Sequence, residues 1–411
     1  MVAAIMTYGS ASDNQPSEMG VSSPSCQEQR LRVCYFGTYR ANFPRNRILI
    51  EGLRQNGVEV VECHEQLWRG IDDRVQLASG GWMHPGFWWR VLRTYGRLLR
   101  RYWRIGRNYD VLIVGYPGQF DVFLARLLSW LHRKPLVWDI CMSIYVVALE
   151  RGLADRSQTT VNLIRLAERV ACRLPQLLIL DTPEYVAWFH ATHGVPTGRF
   201  RLVSLGAEDR ACRPAPEERA SDKPLRVVYF GTFVPNHGVE YIVEAARLFA
   251  GDDTIHFELI GQGPGREKAI ALARLHRLSN LTLPGWLDPE EFAQRVASAD
   301  VCLGGFGITP HSLMTIQHKV YEGLAMGKPV VTGDGPAIRN VFTHGKDIYL
   351  CERANPRALA EALCLLRDNP ELCRSLSING YARFRQDFSA ERLGAQFKHY
   401  LLECLKSGQC H

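Results

Sequence analysis

The segments LRVCYFGTY (Leu31–Tyr39) and LRVVYFGTF (Leu225–Phe233) are near-repeats, and they decide the fold. Each is a short apolar run, rich in residues that favour β-strands, and each ends in a Gly-Thr turn. A helix-like stretch and a second β-rich run follow both segments, over 45–56 and 58–61 in the first case and over 238–249 and 257–260 in the second. The repeated unit is therefore strand, glycine turn, helix, strand.

Further apolar runs extend both units. In the first half they are 111–114, 135–138 and 177–180, and in the second half they are 281–283, 301–303, 329–331 and 348–350. Buried apolar strands that alternate with helices form parallel sheets with right-handed crossovers. The sequence predicts an α/β protein with two Rossmann-like, doubly wound domains facing each other across a cleft, and the binding site is expected in that cleft.

Composition predicts the limits of the domains. Residues 1–29 are rich in Ser, Gly, Pro and Gln and lack the apolar run of a signal peptide, which predicts a disordered leader. The polar, proline-bearing stretch 207–224 predicts a linker. We therefore expect a first domain over 30–206, a second domain over 225–388, and a crossover helix with a tail over 389–411.

The overall composition is that of a globular enzyme. The chain has 411 residues, 46% of them hydrophobic, and a formal net charge of +7 that favours anionic partners such as nucleotides or phospholipid surfaces. Its 12 cysteines are scattered, so we interpret them as reduced thiols of a cytoplasmic protein rather than as disulfides or metal ligands. No apolar stretch reaches the roughly 20 residues that a membrane-spanning helix needs.

Much of the positive charge lies between residues 82 and 109, which contain seven arginines and no acidic residue. Within this stretch, residues 87–107 place apolar side chains at helical spacing and predict an amphipathic helix. Two interpretations stay open: the helix packs on the first sheet only, or it also docks on an anionic membrane surface. No base-reading helix or stacking motif accompanies the arginines, so nucleic acid is not an expected partner.

The stretch TPHSLMTIQHKVYEGLAMGKPVVTGDGP (Thr309–Pro336) holds the residues most suited to chemistry. Residues 320–326 predict a short helix, with Thr315 as a candidate N-cap. A loop that leads into a helix N-terminus offers free N–H groups to a diphosphate, and Lys319 adds a positive charge. Glu322 follows one turn later and can accept hydrogen bonds from ribose hydroxyls, although a surface i,i+3 ion pair explains both residues as well.

The run KVYEGLAMGKPVV (Lys319–Val331) resembles the donor-site signature of retaining glycosyltransferase family 4, which has the GT-B fold. The Gly231-Thr232 turn and the motifs at 238–246 and 259–263 extend the resemblance over residues 225–400. The resemblance implies transfer of a hexose-type sugar from a nucleotide diphosphate sugar, with retention of configuration and without a metal or other cofactor.

The resemblance also implies roles for single residues. Glu322 is expected to bind the donor ribose, and the Gly231-Thr232 turn is expected to face the diphosphate. Gly261 and Gly263 are expected near the base, although turn geometry alone explains these glycines too. The full set assigned to the donor is Gly231, Thr232, Gly261, Gly263, Gly307, Thr309, Lys319 and Glu322.

The sequence departs from the family's pattern at important positions. The paired glutamates of the family stand eight residues apart, and the position eight before Glu322 is Met314, which cannot hydrogen-bond a sugar. Where the family often has a lysine before a later glycine, this chain has His237. Lys319 is therefore expected to be the chief phosphate cation and to stabilise the leaving group. The glycine-rich loop 304–310 either approaches the transferred sugar or is an ordinary flexible loop.

First-domain residues are candidates for the acceptor side. Gly37 and Thr38 form the turn that faces the donor domain, with Arg45 and Asn46 beyond it. Asp139 follows a predicted strand, in the region where the family often has a sugar-binding histidine. We expect Asp139 to be catalytic, orienting an acceptor hydroxyl or stabilising charge on the sugar, with a helix N-cap as the alternative.

The expected protein is a glycosyltransferase that acts on a saccharide or lipid-linked saccharide of the cell envelope. It would work in the cytoplasm, or at the inner face of the cytoplasmic membrane if residues 87–107 dock there. The resemblance further implies that the helix predicted over 390–405 returns to the first domain. Two alternatives stay open, a nucleotide-sugar epimerase and a non-catalytic nucleotide-binding scaffold that Met314 would explain.

Overall fold

The computed structural model describes residues 30–67, 85–208 and 223–408, and these contain two parallel six-stranded sheets. The strands of the first sheet are β1 Arg32–Gly37, β2 Glu59–His64, β3 Val111–Val114, β4 Leu136–Asp139, β5 Leu177–Leu180 and β6 Phe200–Leu202, in the order β2-β1-β3-β4-β5-β6. Those of the second sheet are β7 Leu225–Phe230, β8 Ile255–Ile260, β9 Leu281–Thr282, β10 Val301–Leu303, β11 Val330–Gly333 and β12 Tyr349–Cys351, in the order β12-β11-β10-β7-β8-β9.

Helices connect the strands of both sheets. The first half contains α1 Pro44–Gln55, α2 Pro85–Ile105, α3 Asp121–His132, α4 Ile144–Glu150, α5 Leu153–Arg156, α6 Gln158–Ala171 and α7 Pro183–His193. The second half contains α8 Val239–Arg247, α9 Arg266–Leu275, α10 Pro289–Ala297, α11 Pro310–Met314, α12 His318–Ala325, α13 Pro336–Arg339, α14 Pro356–Asp368, α15 Pro370–Asp387 and α16 Ala390–Gly408. The predicted fold of two doubly wound α/β domains is confirmed. The predicted leader, and most of the predicted linker, lie outside the described residues.

Apolar composition explains why the central strands form. All four residues of β3 and all four of β5 are buried, as expected for parallel strands that are covered on both faces. The sequence predicted every strand except β6. That strand has only three residues, and Arg201 interrupts its apolar pattern.

The C-terminal helix α16 returns to the first domain, as predicted. Its apolar residues share a buried cluster with those of α1, and the cluster includes Leu393, Phe397, Leu401, Ile48 and Leu53. A Cβ atom on Gly394 would lie 2.0 Å from the backbone of Gly52, so the two helices cross with no space for a side chain at either position. This contact joins the last helix of the described residues to α1.

Helix α2 is amphipathic, as predicted, but only part of its apolar face is buried. Leu98 and Tyr102 are fully buried. In contrast, Trp88, Leu92 and Trp103 are 52%, 67% and 56% exposed. None of the described helices, α2 included, is long and apolar enough to cross a bilayer.

The cysteines of the described residues form no disulfide. Six of them are buried, at Cys34, Cys63, Cys141, Cys172, Cys302 and Cys351. Burial raises the pKa of the Cys302 thiol to about 12, so that thiol stays protonated. The interpretation of scattered cysteines as core thiols is confirmed for these positions.

Candidate active site

The candidate site lies at the carboxyl ends of the strands. In the second sheet β7 lies between β8 and β10, so the strand order reverses beside β7, and doubly wound sheets bind ligands at such a point. The turns after β7 and β8 have positive φ at Gly231 (138°), Gly261 (147°) and Gly263 (144°). A Cβ atom on Gly261 would lie 2.0 Å from the carbonyl oxygen of Gly231. Glycine is therefore required for the backbone path, and nucleotide contact at these residues stays a prediction.

Lys319 carries a buried ammonium group beside the first of these turns. It lies in the first turn of α12, which begins two residues earlier than predicted. Its Nζ lies 4.8 Å from the ring centroid of Tyr229, and a Cβ atom on Gly231 would lie 3.3 Å from Nζ. Burial lowers the pKa of Lys319 to about 7, and the nearby charge of Glu322 opposes this shift.

His237 is neutral and supplies no positive charge to the site. Its Nδ1 lies 2.6 Å from the carbonyl oxygen of Thr232 and 3.1 Å from Nζ of Lys319. Burial lowers the pKa of His237 well below its usual value, and the Lys319 ammonium lowers it further. Because the short contact with Thr232 requires a proton on Nδ1, that atom cannot accept a hydrogen bond from Lys319. The ammonium group therefore keeps donors for another acceptor.

Glu322 lies one turn further along α12, near charges of the first half of the chain. Burial raises its pKa to about 7, while Lys319 and Arg47 lower it and Glu208 raises it. Arg47 belongs to α1 and forms an ion pair with Glu208. Lys319 is only 4% exposed. The surface ion pair that the spacing also allowed is thus not what the structure contains.

Arg353 and a helix cap fix the loop that follows β10. Arg353 donates from Nη1 to the carbonyl oxygens of Gly305 at 3.1 Å and Gly307 at 3.0 Å. Burial lowers the pKa of Arg353 to about 10. The hydroxyl of Thr309 caps α11 by accepting a hydrogen bond from the backbone of Ser312 at 3.3 Å. The cap gives Thr309 a structural role, and contact of Thr309 and Gly307 with the donor stays a prediction.

Met314 packs into the first domain. It is 7% exposed and belongs to the apolar cluster of the first sheet, together with Trp138, Tyr185 and Phe189. Its carbonyl oxygen accepts a hydrogen bond from the hydroxyl of Thr182. Met314, eight residues before Glu322, therefore serves as a contact between the domains.

Thr315 also contacts the first domain, and this corrects its assignment as a helix cap. Its hydroxyl donates to the carboxylate of Asp181. The residue that precedes α12 is Gln317, whose side chain makes no capping hydrogen bond. The N–H of Val320 donates to the carbonyl oxygen of Gln317 at 3.0 Å. Because no described side chain caps α12, the N–H groups of His318 and Lys319 stay available to a ligand.

We expect Met314→Glu to destabilise the protein by about 2–3 kcal/mol and not to raise activity, because its carboxylate must lose hydration or be protonated in the apolar cluster. Met314→Leu conserves volume and is expected to cost less than about 1.5 kcal/mol. Chemical unfolding, combined with a donor-hydrolysis assay, compares both variants with the wild type. Wild-type stability and faster turnover in Met314→Glu would contradict the packing described here.

Asp139 and Arg45 form a fully buried ion pair, and this corrects both predictions. Both side chains are 0% exposed. Arg45 donates to Asp139 from Nε at 3.0 Å and from Nη2 at 2.9 Å, and its Nη1 donates to the carbonyl oxygen of Val203 at 2.9 Å. Asp139 does not face an open cleft, and the guanidinium of Arg45 is not available to an acceptor. The pair instead joins β4, α1 and the segment after β6.

The other acceptor-side candidates also make internal contacts. Oδ1 of Asn46 accepts from the N–H of Tyr116 at 3.0 Å, and Nδ2 donates to the Tyr116 carbonyl oxygen at 2.7 Å. The backbone N–H and the hydroxyl of Thr38 both donate to the carboxylate of Asp121. A Cβ atom on Gly37 would lie 2.7 Å from that carboxylate. The side chains of Asn46 and Thr38 are thus used to hold the turns, which corrects their assignment to the acceptor.

Sequence reasoning missed Asp121, Arg353 and Gln317. Asp121 lies 83 residues from Thr38, and Arg353 lies 48 residues from Gly305. Asp121 has the pattern of an ordinary first-turn helix residue, and Arg353 has that of a charge after a strand. No local signal could have identified their partners, because parallel sheets bring together segments that are far apart in the chain.

Comparison with known proteins identifies relatives of both domains. Residues 224–369 match the family described as glycosyl transferases group 1. Alpha-D-kanosaminyltransferase of Streptomyces kanamyceticus is 25% identical over 330 residues, which are 77% of this chain and 81% of that protein. D-inositol 3-phosphate glycosyltransferase of Thermobispora bispora is 24% identical over 316 residues, which are 69% of this chain and 72% of that protein.

Solved structures with the GT-B fold resemble this chain. The Anabaena protein HepE in complex with UDP has a TM-score of 0.63 and 14% identity, over 91% of this chain and 100% of that chain. Sucrose-phosphate synthase from Thermosynechococcus elongatus has a TM-score of 0.68 and 16% identity, over 92% and 100% of the two chains. At such identities the likeness shows the fold alone. Taken with the group 1 match and the named relatives, it leads to the conclusion that this two-domain α/β chain is a glycosyltransferase.

Proposed function

We propose that the chain transfers a sugar from a nucleotide diphosphate sugar, and that Lys319 and the start of α12 bind the diphosphate. The buried ammonium group of Lys319 carries the proposal, because it lies beside the Gly231 turn and has no carboxylate in hydrogen-bond contact among the described residues. A buried cation without a direct counterion is typical of an anion-binding site. HepE, which shares the fold, has been solved with UDP and with UDP-glucose.

In the proposed reaction, the bond between the anomeric carbon and the diphosphate oxygen breaks, and the acceptor hydroxyl oxygen bonds to that carbon. Lys319 and the free N–H groups of α12 stabilise the negative charge that develops on the departing diphosphate, which takes up the hydroxyl proton directly or through solvent. Glu322 accepts hydrogen bonds from the ribose, and Gly261 to Gly263 lie along the base. We further propose family 4 membership, retention of configuration and no metal cofactor, with Lys319 supplying the positive charge.

We also propose that α2 docks on an anionic membrane surface. Most arginines of α2, among them Arg93, Arg100 and Arg104, are exposed beside its exposed apolar residues. The neighbouring helix α3 adds Leu127 and Trp130, which are 64% and 76% exposed. Exposed tryptophans next to arginines are typical of helices that lie in an anionic interface.

Contacts at both ends of α3 place it side by side with α2. Near its start, Tyr95 of α2 donates to the carboxylate of Asp121 at 2.6 Å, and at its end Tyr102 stacks on His132 with ring centroids 5.3 Å apart. Trp103, one of the exposed residues of α2, also contacts His132, with ring centroids 5.8 Å apart. This contact supports one continuous surface for the exposed apolar residues of the two helices. This supports a cytoplasmic enzyme at the inner face of the membrane and a lipid-linked or cell-envelope saccharide as the acceptor.

A thermal-shift screen against UDP-, GDP- and ADP-sugars tests the donor proposal. A donor that binds the folded state raises the unfolding temperature by mass action, and incubation with that donor is expected to show hydrolysis or transfer. A shift without turnover would favour the non-catalytic scaffold. No shift with any nucleotide and no turnover would contradict the proposal. The relatives found favour neither the scaffold nor the epimerase.

The ribose assignment predicts that Glu322→Ala weakens nucleotide binding by about tenfold or more, because hydrogen bonds to a charged group contribute about 1.5–3 kcal/mol. Isothermal titration with the nucleotide found in the screen measures the change. The control is Glu361→Ala, at an exposed position of α14, which is expected to bind like the wild type. Unchanged affinity in Glu322→Ala would show that the carboxylate does not contact the ribose.

The membrane proposal predicts that replacing Arg93, Arg100 and Arg104 together with glutamine weakens vesicle binding by about 100-fold, since each arginine near an anionic surface contributes about 1 kcal/mol. Co-sedimentation with phosphatidylglycerol-containing vesicles measures binding, and pure phosphatidylcholine vesicles give the background. A matched variant removes three exposed arginines from the second domain, at Arg274, Arg277 and Arg357. Equal losses in both variants, or no binding by the wild type, would contradict docking through α2.

A further inference from the structure

We infer that the side-chain amide of Gln317 binds a hydroxyl group of the transferred sugar, in the role that a carboxylate at position 314 would otherwise have. The inference rests on the proposed function, since it needs a sugar nucleotide in the site. It assigns a ligand contact to a residue for which the sequence offered no role.

The amide of Gln317 is buried and has an unused donor. Gln317 is 7% exposed, and its Nε2 has no hydrogen-bond partner. Buried amide groups in native proteins are almost always hydrogen-bonded, so an unpaired one at a binding site indicates a partner that arrives with the ligand. The side chain does not cap α12, although Gln317 occupies the N-cap position.

The position of this amide is fixed by contact with the loop after β10. A Cβ atom on Gly305 would lie 2.8 Å from Nε2 and 3.0 Å from Oε1 of Gln317, so the amide lies directly against the backbone there. The polar groups of Gly305 are already used: its N–H donates to the hydroxyl of Thr332 at 3.2 Å, and its carbonyl oxygen accepts from Arg353 at 3.1 Å. The backbone of Gly305 therefore offers the amide of Gln317 neither a free donor nor a free acceptor.

The surroundings of Gln317 correspond to the sugar end of a bound donor. Gly305 follows β10, next to β7, where the strand order of the sheet reverses. Lys319, two residues further on, lies beside the Gly231 turn where we place the diphosphate. The turn after β8, where we place the base, is on the other side of β7. A group beside the diphosphate and away from the base meets the sugar.

The chemistry of the amide matches a hydroxyl group better than a phosphate. An amide both donates and accepts, as a sugar hydroxyl does, whereas the ammonium group of Lys319 already serves the anion. Met314 cannot take part, because its side chain lies in the apolar cluster of the first domain. Gln317 is thus the polar side chain at the start of α12 that is buried against the second sheet and left for the sugar.

The test compares Gln317→Leu with the wild type on the donor identified by the screen, on that donor's singly deoxygenated sugar analogues, and on the free nucleoside diphosphate. We expect the variant to bind the nucleoside diphosphate within about twofold of the wild type and to lose about tenfold in kcat/KM with the intact donor. With one deoxy analogue, the kcat/KM of the wild type is expected to fall below its value with the intact donor. The kcat/KM of the variant is expected to be the same with both. Gln317→Asn, which keeps the amide, is expected to recover part of the loss.

Two results would overturn the inference while leaving the proposed function intact. One is unchanged kcat/KM in Gln317→Leu. The other is a variant whose kcat/KM falls, from the intact donor to each deoxy analogue, by the same factor as that of the wild type. A merely structural role of Gln317 would lower the rates with all donors together. If the wild type binds no nucleotide at all, the proposed function itself fails, and this outcome is distinct from both. Unchanged nucleoside diphosphate affinity in the variant shows that it is folded.

Discussion

Lys319→Met is expected to weaken binding of the nucleotide diphosphate by about 100-fold while making the unliganded protein more stable. Charge-assisted hydrogen bonds contribute about 1.5–3 kcal/mol, and in this site the ammonium group has no carboxylate directly bonded to it. The loss should appear equally with UDP-type nucleotides that lack a sugar. Titration calorimetry measures the affinity, and Lys346→Met, at an exposed position, is the matched control.

The gain in stability follows from the pKa of Lys319, which burial lowers to about 7. Between about pH 7 and the usual lysine pKa of about 10.4, the unfolded chain binds a proton that the folded chain does not, so stability rises with pH in this range. The loss of folding stability caused by Lys319 is therefore greatest below pH 7 and disappears as the pH approaches the usual lysine pKa. At pH 8 we expect Lys319→Met to raise the free energy of unfolding by about 3 kcal/mol.

Binding should depend on pH in the opposite sense. Above pH 7 the free protein must take up a proton on Lys319 when the diphosphate binds, so affinity is expected to fall by up to about tenfold per pH unit. Glu322, whose pKa is raised to about 7 by burial, loses a proton over the same range and adds repulsion, so the two groups titrate as a coupled pair. The measurement is a set of titrations in buffers of different ionisation enthalpy. A pH-independent affinity in the wild type, or equal affinity in Lys319→Met, would contradict the assignment of the diphosphate.

Repetition along the chain made the fold predictable, because the same strand and glycine turn occur at Leu31 and Leu225. The turns themselves followed from glycine chemistry, since the backbone at Gly231 and Gly261 requires positive φ and close approach. The pairing of α1 with α16 followed from the resemblance, but their crossing at two glycines did not. The local sequence of neither helix indicates a contact between residues 52 and 394.

The candidate site was predictable only in its second half. Lys319 and Glu322 lie on one helix, so their spacing alone placed them together. Arg45 and Asp139 are 94 residues apart, and each was assigned to the turn beside it because sequence pattern shows that a polar residue follows a strand but not what it contacts. Thr315 was misassigned for the same reason, since its partner Asp181 belongs to the other domain. The wrong predictions therefore concern polar side chains whose partners belong to distant elements.

Asp139→Asn is expected to destabilise the protein by about 3–5 kcal/mol, through loss of the counterion of Arg45 and not through loss of a catalytic group. Both side chains are fully buried, and the carboxylate accepts from two guanidinium nitrogens. Burial lowers the pKa of Arg45, and the charge of Asp139 more than offsets this and raises that pKa above its usual range. Without the carboxylate this support is lost, but an arginine side chain is too basic to lose its proton in a protein, so the guanidinium stays charged. Breaking such a buried pair on one side leaves an uncompensated charge in the interior.

Chemical unfolding of four proteins separates this role from catalysis: the wild type, Asp139→Asn, Arg45→Met and the double variant. The double variant is expected to be more stable than the sum of the single losses predicts, because it leaves no unpaired charge, although the carbonyl oxygen of Val203 still loses its donor. Glu59→Gln breaks the partly exposed pair with Arg32 and is expected to cost less than about 1 kcal/mol. Where Asp139→Asn remains folded, below its unfolding temperature, it should bind nucleotide and turn over donor at rates close to those of the wild type. If Asp139→Asn is as stable as the wild type but has lost turnover, Asp139 takes part in the reaction. The ion pair would then have to open when the acceptor binds.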